Sequence, residues 1–256
     1  MYGFIGSVSL PSNNKVSLYC APHKGHSKLL QNETSWGDFQ VKRLTLDKFA
    51  NDKVFYESED TVIVVEGVIY NFRELEKKYG ISEQGRLLEK MYITSSAQTL
   101  ANDLNGFYSM ILYDKKSKQL CLITDHISYK PLWCYQSDGV LIFSTDIHWL
   151  YKTLSASGIQ LQLEYDRIYC LINYGYMLGD VTPVKGCRKL LAGNIAEYSS
   201  GKIGIVNYYT LPDVTTQERG LSPEQYDTIL GKLTLLLKNP FDIFMRKMTN
   251  TVTSIA

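Results

Sequence analysis

The chain has 256 residues, of which 45% are hydrophobic, so it is long enough to bury a sizeable core as one large domain or two small ones. Its 27 basic and 26 acidic residues give a net charge of +1, without the strong positive field expected of a nucleic-acid or anionic-membrane binder. No apolar run approaches the length of a membrane span. We therefore expect neither nucleic acid nor a membrane among its partners.

The cysteine pattern gives no indication of a metal or redox site, because no two cysteines have C-x-x-C spacing. The five cysteines are Cys20, Cys121, Cys134, Cys170 and Cys187. Scattered thiols are typical of a reducing compartment, and the N-terminus lacks the basic and apolar segments of a signal peptide. We expect a cytoplasmic protein that holds no metal ion and no cofactor.

The first elements in chain order are strands followed by short helices. The opening segment MYGFIGSVSL predicts a short buried strand, and TVIVVEGVIY at 61–70 predicts a β-branched one. The segment 71–80 predicts a helix ending at Gly80, since glycine is a common helix C-terminal cap. In 85–106 a Thr-Ser-Ser stretch interrupts the helical pattern, which predicts two helices.

The middle of the chain predicts hairpins and one further helix. Pairs of apolar runs around polar or glycine-containing turns predict hairpins in 108–125, 131–146 and 185–209. The segment 163–177 predicts a helix with an apolar stripe. At least seven strands, with frequent antiparallel neighbours, are therefore expected.

A polar linker with Pro and Gly at 211–223 separates this β-rich part from a helical tail. The last helix begins with Ser-Pro-Glu-Gln at 222–225, which is typical of helix N-terminal capping, and continues to 238. Its apolar side chains should seek a partner surface. They are Ile229, Leu233, Leu236 and Leu237.

Four stretches, in the same order, resemble segments of class II glutamine amidotransferases, and the asparagine synthetase branch fits best. They are EGVIYNFREL at 66–75, LNGFYSMILYDKKSKQLCLITDHISYKPLWCY at 104–135, LIFSTDIHWL at 141–150 and YGYMLGDVTPVKGCRKLLAGN at 174–194. The resemblance covers about residues 1–240. It implies an α+β fold of the N-terminal-nucleophile hydrolase type, a four-layer αββα sandwich with mostly antiparallel sheets. It also implies that Asp125, before His126, has a structural role in tying a turn after a strand.

The resemblance implies that position 2 carries the nucleophile, because family members expose an N-terminal Cys after Met1 is removed. Its thiol attacks the glutamine amide while its own α-amine acts as the general base. Here position 2 is Tyr2, whose phenol has a pKa near 10 and is a poor acyl-transfer nucleophile. A side chain of this size also prevents removal of Met1, so the base is expected to be out of place as well. We expect Tyr2 to be a core or pocket residue.

Two further positions depart from the family pattern. The resemblance aligns Glu66 with the Asn of the oxyanion hole and Gly67 with the glycine whose N–H completes it. A carboxylate at Glu66 would repel a developing oxyanion. The Asp that binds the glutamine α-amine aligns with Gln84, whose neutral amide loses the ionic part of that contact.

One pocket residue of the family is retained. VKRLTLD at 41–47 resembles the family segment that binds the substrate α-carboxylate, so Arg43 would occupy that position. Two interpretations stay open: Arg43 binds a ligand carboxylate, or Arg43 is paired with Glu66 or another pocket carboxylate. The remnant substrate site is therefore predicted to comprise Arg43, Glu66, Gly67 and Gln84, with no catalytic residue.

Together these features predict an asparagine synthetase-like protein whose glutaminase-type domain, 1–212, has lost glutamine hydrolysis and acts as a structural or interaction domain. The remainder, 213–256, is expected to be a linker and helical tail, where a synthetase domain would begin. No Ser-Gly-Gly-x-Asp-Ser segment or Gly-x-x-x-x-Gly-Lys loop occurs, so no ATP site is expected within these residues. The expected partner is a synthetase-type domain or another protein, and a homodimer is a further possibility.

Two other functions remain open. The remnant pocket could bind an amino acid or another small carboxylate as a ligand-binding module. Alternatively, the chain could be part of an ATP-dependent amide-forming enzyme whose synthetase half lies outside these 256 residues.

Overall fold

The structure is a computed structural model and describes residues 3–9, 16–22, 29–46, 54–137, 139–211, 222, 224 and 226–235. Two units are separable, residues 1–210 and residues 211–256. The described part of the first unit contains two β-sheets and five α-helices. None of the described helices is both long and apolar enough to cross a bilayer.

The strands of the first unit are numbered in chain order. They are β1 (Gly3–Ser9), β2 (Leu29–Trp36), β3 (Phe39–Leu46), β4 (Phe55–Glu57), β5 (Thr61–Ile69), β6 (Gly106–Asp114), β7 (Gln119–Thr124), β8 (Leu132–Ser137), β9 (Val140–Ser144), β10 (Cys187–Leu190), β11 (Asn194–Ser199) and β12 (Lys202–Asn207). The helices are α1 (Phe72–Tyr79), α2 (Gln84–Thr94), α3 (Ala97–Asp103), α4 (Ile147–Ala156) and α5 (Tyr165–Tyr174).

Each sheet has six strands, and every neighbouring pair is antiparallel. The first sheet has the order β10-β8-β9-β1-β3-β2, which puts the opening strand at its centre. The second sheet has the order β12-β11-β7-β6-β5-β4. β1 is hydrogen-bonded on both edges, to β3 and to β9, which explains why its apolar residues are buried.

The two sheets pack face to face around one hydrophobic cluster. The strands alternate across it: Val62 and Val64 of β5 contact the facing sheet, whereas Ile63 and Val65 point to the helix side. This double burial explains why β5 reads as a continuous β-branched run. The inter-sheet cluster also contains Phe4, Val8, Phe39, Val41, Ile111, Tyr113, Leu122, Leu141 and Phe143.

Helices cover both outer faces. Leu75 of α1, Leu88 of α2 and Leu100 of α3 pack on the second sheet. Trp149 and Leu150 of α4 pack on the outer face of the first sheet. The result is a helix–sheet–sheet–helix sandwich, and it confirms the predicted four-layer α+β fold with antiparallel sheets.

The predicted helices at 71–80 and within 85–106 are confirmed, and their ends have physical causes. Gly80 is left-handed with φ 69° and donates its N–H to the Glu76 carbonyl at 2.8 Å. Ser96 separates α2 from α3 and caps α3, because its hydroxyl accepts the Thr99 N–H at 3.1 Å.

The predicted hairpins at 108–125 and 131–146 are confirmed as β6–β7 and β8–β9. The hairpin predicted within 185–209 is confirmed as β11–β12, with its turn at Ser200 and Gly201, whereas the start of that range forms β10, which pairs with β8 in the other sheet. The chain changes sheets between Leu190 and Asn194, where Gly193 has φ +63° and a Cβ there would lie 2.2 Å from the Tyr209 carbonyl.

Two helices differ from the sequence-based expectation. Helix α5 lies within the predicted 163–177 segment, but none of its residues is buried, so its apolar stripe faces solvent. Helix α4 was not predicted. Asp146 caps its N-terminus, because its carboxylate accepts the backbone N–H groups of His148 and Trp149.

In the second unit, residues 226–235 are helical, and the Ser222 carbonyl accepts the Tyr226 N–H at 2.9 Å. Pro223 and Gln225, which complete the predicted capping pattern, lie outside the described residues, as do Leu236 and Leu237. The described apolar side chains of this helix are exposed, including Ile229 and Leu233 at 40% and 48%.

Candidate functional site

The candidate site lies between the sheets, beside the first described residues of β1. Phe4 of β1 is paired with Arg43 of β3, so the start of the first strand runs directly alongside the arginine. Arg43 lies on the same face of β3 as Phe39 and Val41 and is completely buried. Tyr2, the residue predicted at the nucleophile position, lies outside the described residues.

Arg43 forms an ion pair with Glu66 across the two sheets. The Arg43 Nε lies 3.6 Å from the Glu66 Oε2, and the two side chains are 0% and 9% exposed. Glu66 is on the inter-sheet face of β5, at the position that follows Val62 and Val64 in the alternation. Burial of both charges requires such mutual compensation, because an isolated buried ion is strongly disfavoured.

Lys130 is a second cation at the same carboxylate. Its Nζ lies 3.8 Å from the Glu66 Oε1, and its side chain is 37% exposed. The two Glu66 oxygens are thus shared between a buried guanidinium and a partly exposed ammonium. In the sequence, Lys130 stands out only as part of the stretch 104–135 that resembles the family. It lies 64 residues from Glu66 along the chain, and no local pattern indicated the contact.

Gly67 fixes the backbone directly after Glu66. Its φ is +129°, a value that L side chains rarely adopt, and a Cβ there would lie 2.0 Å from the Phe107 carbonyl oxygen. Gly67 is paired with Tyr108 of β6, which holds the two backbones in close approach. A glycine is therefore required at this position whatever the chemistry of the site.

Ser109 and an aromatic group complete the surroundings of Glu66. Ser109 is paired with Glu66 across β5 and β6 and is fully buried. Its hydroxyl donates to the Lys130 carbonyl at 2.7 Å, which fixes the lysine backbone near the carboxylate. Phe107 stacks on Tyr129 with ring centroids 4.7 Å apart and meets the edge of Tyr70 at 5.4 Å, so aromatic rings border the site.

Gln84 belongs to a different layer. It is the half-buried first residue of α2, and α2 packs through Leu87 and Met91 on the helix side of the second sheet. The Glu66 side chain points to the opposite, inter-sheet face. The structure therefore brings Arg43, Glu66 and Gly67 together, while Gln84 comes from the helix layer.

Asp125 forms the turn that supports Lys130. It is fully buried, and its carboxylate accepts the backbone N–H groups of Tyr108, Ile127 and Tyr129 at 2.8–3.3 Å. These bonds confirm the predicted structural role of this residue. Burial lowers the pKa of the adjacent His126, and the Asp125 charge only partly opposes that effect.

The part of the chain that the structure describes contains no group of three or more His, Cys, Asp or Glu side chains arranged to hold a metal ion. The cysteines are free thiols rather than disulfides. What the arrangement offers chemically is one carboxylate between two cations.

Residues 28–209 match the glutamine amidotransferase domain family. The chain is 24% identical over 200 residues to a Methanocaldococcus jannaschii protein named as a glutamine-hydrolysing asparagine synthetase, covering 74% of this chain and 38% of that relative. It is 25% identical over 121 residues to asparagine synthetase 2 of Bacillus subtilis, which is named as glutamine-hydrolysing, covering 44% of this chain and 16% of that protein. The chain thus matches well under half the length of either relative.

Two solved structures match the chain at lower sequence identity than these two relatives. Glutamine phosphoribosylpyrophosphate amidotransferase of B. subtilis gives a TM-score of 0.47 at 10% identity, covering 68% of this chain and 36% of that chain. An allosteric regulatory enzyme of purine biosynthesis gives a TM-score of 0.49 at 8% identity, covering 82% of this chain and 44% of that chain.

The antiparallel αββα sandwich and the family match define a class II glutamine amidotransferase domain, and the chain belongs to that family. Its curated relatives make it asparagine synthetase-like.

Proposed function

We propose that this amidotransferase domain no longer hydrolyses glutamine and acts as a structural or interaction domain of an asparagine synthetase-like protein. The observation that carries the proposal is the buried Glu66–Arg43 ion pair. The resemblance aligns Glu66 with an oxyanion-hole Asn, whose amide would donate to the developing negative charge. A carboxylate at this position can accept hydrogen bonds but cannot donate one, and its negative charge repels an oxyanion.

The residue at position 2 supports the same proposal. Catalysis by an N-terminal nucleophile needs a low-pKa thiol or an activated hydroxyl beside a free α-amine. The phenol of Tyr2 is neither kind of nucleophile. Retention of Met1 would also move the terminal amine away from the position of the base. Loss of both the nucleophile and the oxyanion donor leaves little of the catalytic apparatus.

An interaction role is supported by the relatives and by exposed apolar surface. The named relatives are glutamine-hydrolysing asparagine synthetases that extend well beyond the matched region, so a synthetase-type domain or a separate chain is the expected partner. Helix α5 exposes Tyr165, Ile172 and Tyr174 at 60–73%, a surface that soluble domains usually cover. Alternatively, a second copy of this chain would be the partner, and the two copies would associate through such a surface.

An ATP-dependent amide-forming assembly is a second candidate, favoured by the same relatives. In that case the synthetase half would use ammonia or an amine supplied from elsewhere.

The free thiols suit a reducing compartment, so we take the cytoplasm as the site of action.

The test compares glutamate release from glutamine by the wild-type chain and by Tyr2→Cys, whose small second residue permits removal of Met1. We expect both proteins to stay at the buffer rate, because Glu66 remains in the oxyanion position of the variant. Intact-mass measurement of each protein reports whether Met1 is present. Turnover restored by Tyr2→Cys alone would contradict the proposal that the oxyanion site is also lost.

A further inference from the structure

Helix α5 carries an apolar face on its solvent side. Tyr165, Tyr169 and Ile172 recur at i, i+4 and i+7, so they lie on one face of the helix, and they are 73%, 63% and 72% exposed. The half-buried residues Arg167 and Cys170 lie on the other side of the helix. Large apolar side chains therefore occupy the side on which a surface helix ordinarily carries polar ones.

We infer that this face of α5 binds the same face of a second copy of the chain, with the two helices antiparallel. The inference rests on the proposed interaction role and gives that role a definite partner and a definite surface. Two features favour a second copy as the occupant. They are the amount of apolar surface that α5 exposes and the distribution of charge along the helix.

The exposed apolar surface is close to what one side of a dimer interface requires. Large apolar side chains in and directly after α5 are 44–73% exposed, and together they present on the order of 700 Å². A standard interface buries about 800 Å² per partner. Most of these side chains are tyrosines, a residue type that is enriched in the buried centres of interfaces. They are Tyr165, Tyr169, Leu171, Ile172, Tyr174 and Tyr176.

The charges of α5 suit an antiparallel pair of identical helices. Arg167 is neutralised within the same chain, because its Nε lies 2.6 Å from the Glu164 Oε2, and Asp166 is the other charged residue of the helix. A parallel pair would bring the two Asp166 carboxylates together. An antiparallel pair centred between Tyr169 and Ile172 instead brings each Asp166 near the neutral Asn173 of the second copy. It also sets opposite ends of the two helix dipoles side by side.

The helix is held in place at both ends before any partner binds. At its start, the Glu164 N–H donates to the Pro183 carbonyl at 2.9 Å. At its end, Gly175 is left-handed with φ 74° and donates its N–H to the Leu171 carbonyl at 2.9 Å. Association therefore does not require the helix to form, which lowers the entropic cost of binding.

The experiment is sedimentation of the full chain over a wide range of protein concentration, for wild type and for Tyr169→Glu/Ile172→Glu. The mass of wild type should approach twice that of the 29.2 kDa chain as its concentration rises. The double variant should associate about tenfold more weakly or not at all, because it places four carboxylates at the centre of the interface. Both positions are exposed, so the circular dichroism spectrum and the melting temperature in dilute solution should match those of wild type.

Leu230→Glu/Leu233→Glu is the matched control. These leucines belong to the helix at 226–235 and are 49% and 48% exposed, so the control adds the same two charges to another exposed apolar helix. It should self-associate like wild type. Three results would overturn the inference: a wild type that stays monomeric, a Tyr169→Glu/Ile172→Glu variant that still dimerises, or a control that dissociates to the same extent.

Tyr165→Cys tests the antiparallel arrangement under a mild oxidant. In the proposed pair the two copies of position 165 lie about 16 Å apart along the helix axis, so disulfide-linked dimer should stay at the wild-type level. A parallel pair would bring them together, and efficient disulfide linkage of this variant would overturn the arrangement. Glutamine hydrolysis by wild type would instead contradict the proposed loss of activity, and that outcome is separate from every measurement of association.

Discussion

At the scale of single residues, Glu66 and Gly67 constrain the site in different ways. Glu66 sets its charge, because its carboxylate lies between Arg43 and Lys130. Gly67 sets its backbone, since a positive φ and the nearby Phe107 carbonyl leave no room for a side chain. The first constraint is one of charge, and the second is a steric requirement of the backbone.

Gly67→Ala should therefore destabilise the fold by about 2 kcal/mol or more, because the new Cβ both strains the backbone and meets the Phe107 carbonyl. Urea denaturation measures the change. Gly204→Ala in β12 is the control, since a Cβ there has open space, and its effect should stay within about 0.5 kcal/mol. Similar effects at the two positions would show that the close approach at Gly67 is not a real constraint.

At the scale of elements, the turn after β7 positions the Lys130 side of the site. The Asp125 carboxylate accepts two backbone N–H groups of this turn, those of Ile127 and Tyr129, and it joins the turn to β6 by accepting the Tyr108 N–H. A carboxylate that satisfies several buried donors is difficult to replace, because each donor loses its partner at once.

Asp125→Ala should lower the free energy of unfolding by about 3 kcal/mol, because a fully buried carboxylate is lost and the N–H groups of Tyr108, Ile127 and Tyr129 lose their shared acceptor. Asp146→Ala removes an ordinary helix cap from α4 and should cost about 1 kcal/mol. Chemical denaturation of both variants gives the comparison. An Asp125→Ala cost no larger than that of Asp146→Ala would contradict the structural role assigned to the turn.

At the scale of the whole molecule, the buried thiols should make the free energy of unfolding fall as the pH rises into the alkaline range. Burial raises the pKa of both Cys121 and Cys187 to about 12, and both residues are almost completely inaccessible to solvent. An unfolded thiol has a pKa of about 8.5, so the folded state binds more protons above that pH. The stabilisation is complete below pH 8.5 and is lost as the pH rises toward 12.

We therefore expect the free energy of unfolding to fall above pH 8.5, by up to about 1.4 kcal/mol per pH unit for each such thiol. Urea titrations between pH 8.5 and 9.0 measure this slope where unfolded tyrosines, with a pKa of about 10, are still mostly neutral. Cys121→Ser should reduce it, since a hydroxyl does not titrate there. A wild-type slope near zero would show that these thiols are not held in their neutral form.

The described hydrophobic clusters of the protein all come from residues 4–208. A chain ending at Thr210 should therefore unfold cooperatively in urea, with a free energy of unfolding within about 1 kcal/mol of the full chain. Light scattering on both chains would show whether the exposed helix at 226–235 promotes self-association. A shortened chain that unfolds without cooperativity would contradict the division of the molecule into these units.

Much of the fold could be predicted from local patterns. Alternating and continuous apolar runs predicted β1, β5 and three hairpin regions, and Gly80 predicted the end of α1. Helix α4 was missed because it is short and its main signal is a single cap, Asp146. The passage of the chain from the first sheet (β10) to the second (β11) was not predicted. Apolar periodicity indicates a strand but does not show which sheet the strand joins.

The site could be predicted only in part. Arg43 and Glu66 were identified by resemblance, and their pairing was one of two open interpretations, which the structure supports. Lys130 was not identified as a partner, since a contact between residues far apart in sequence depends on how the sheets stack. The role of Gln84 stays a prediction, and so does that of Tyr2, outside the described residues.

The proposed loss of glutamine hydrolysis is tested most directly by measuring glutamate release by the wild-type chain at saturating glutamine. Tyr2→Ala, purified in the same way, serves as the matched control for a contaminating glutaminase. We predict the same background rate for both proteins. Glutamate release by wild type that disappears in Tyr2→Ala would contradict the account, because it would make residue 2 a working nucleophile.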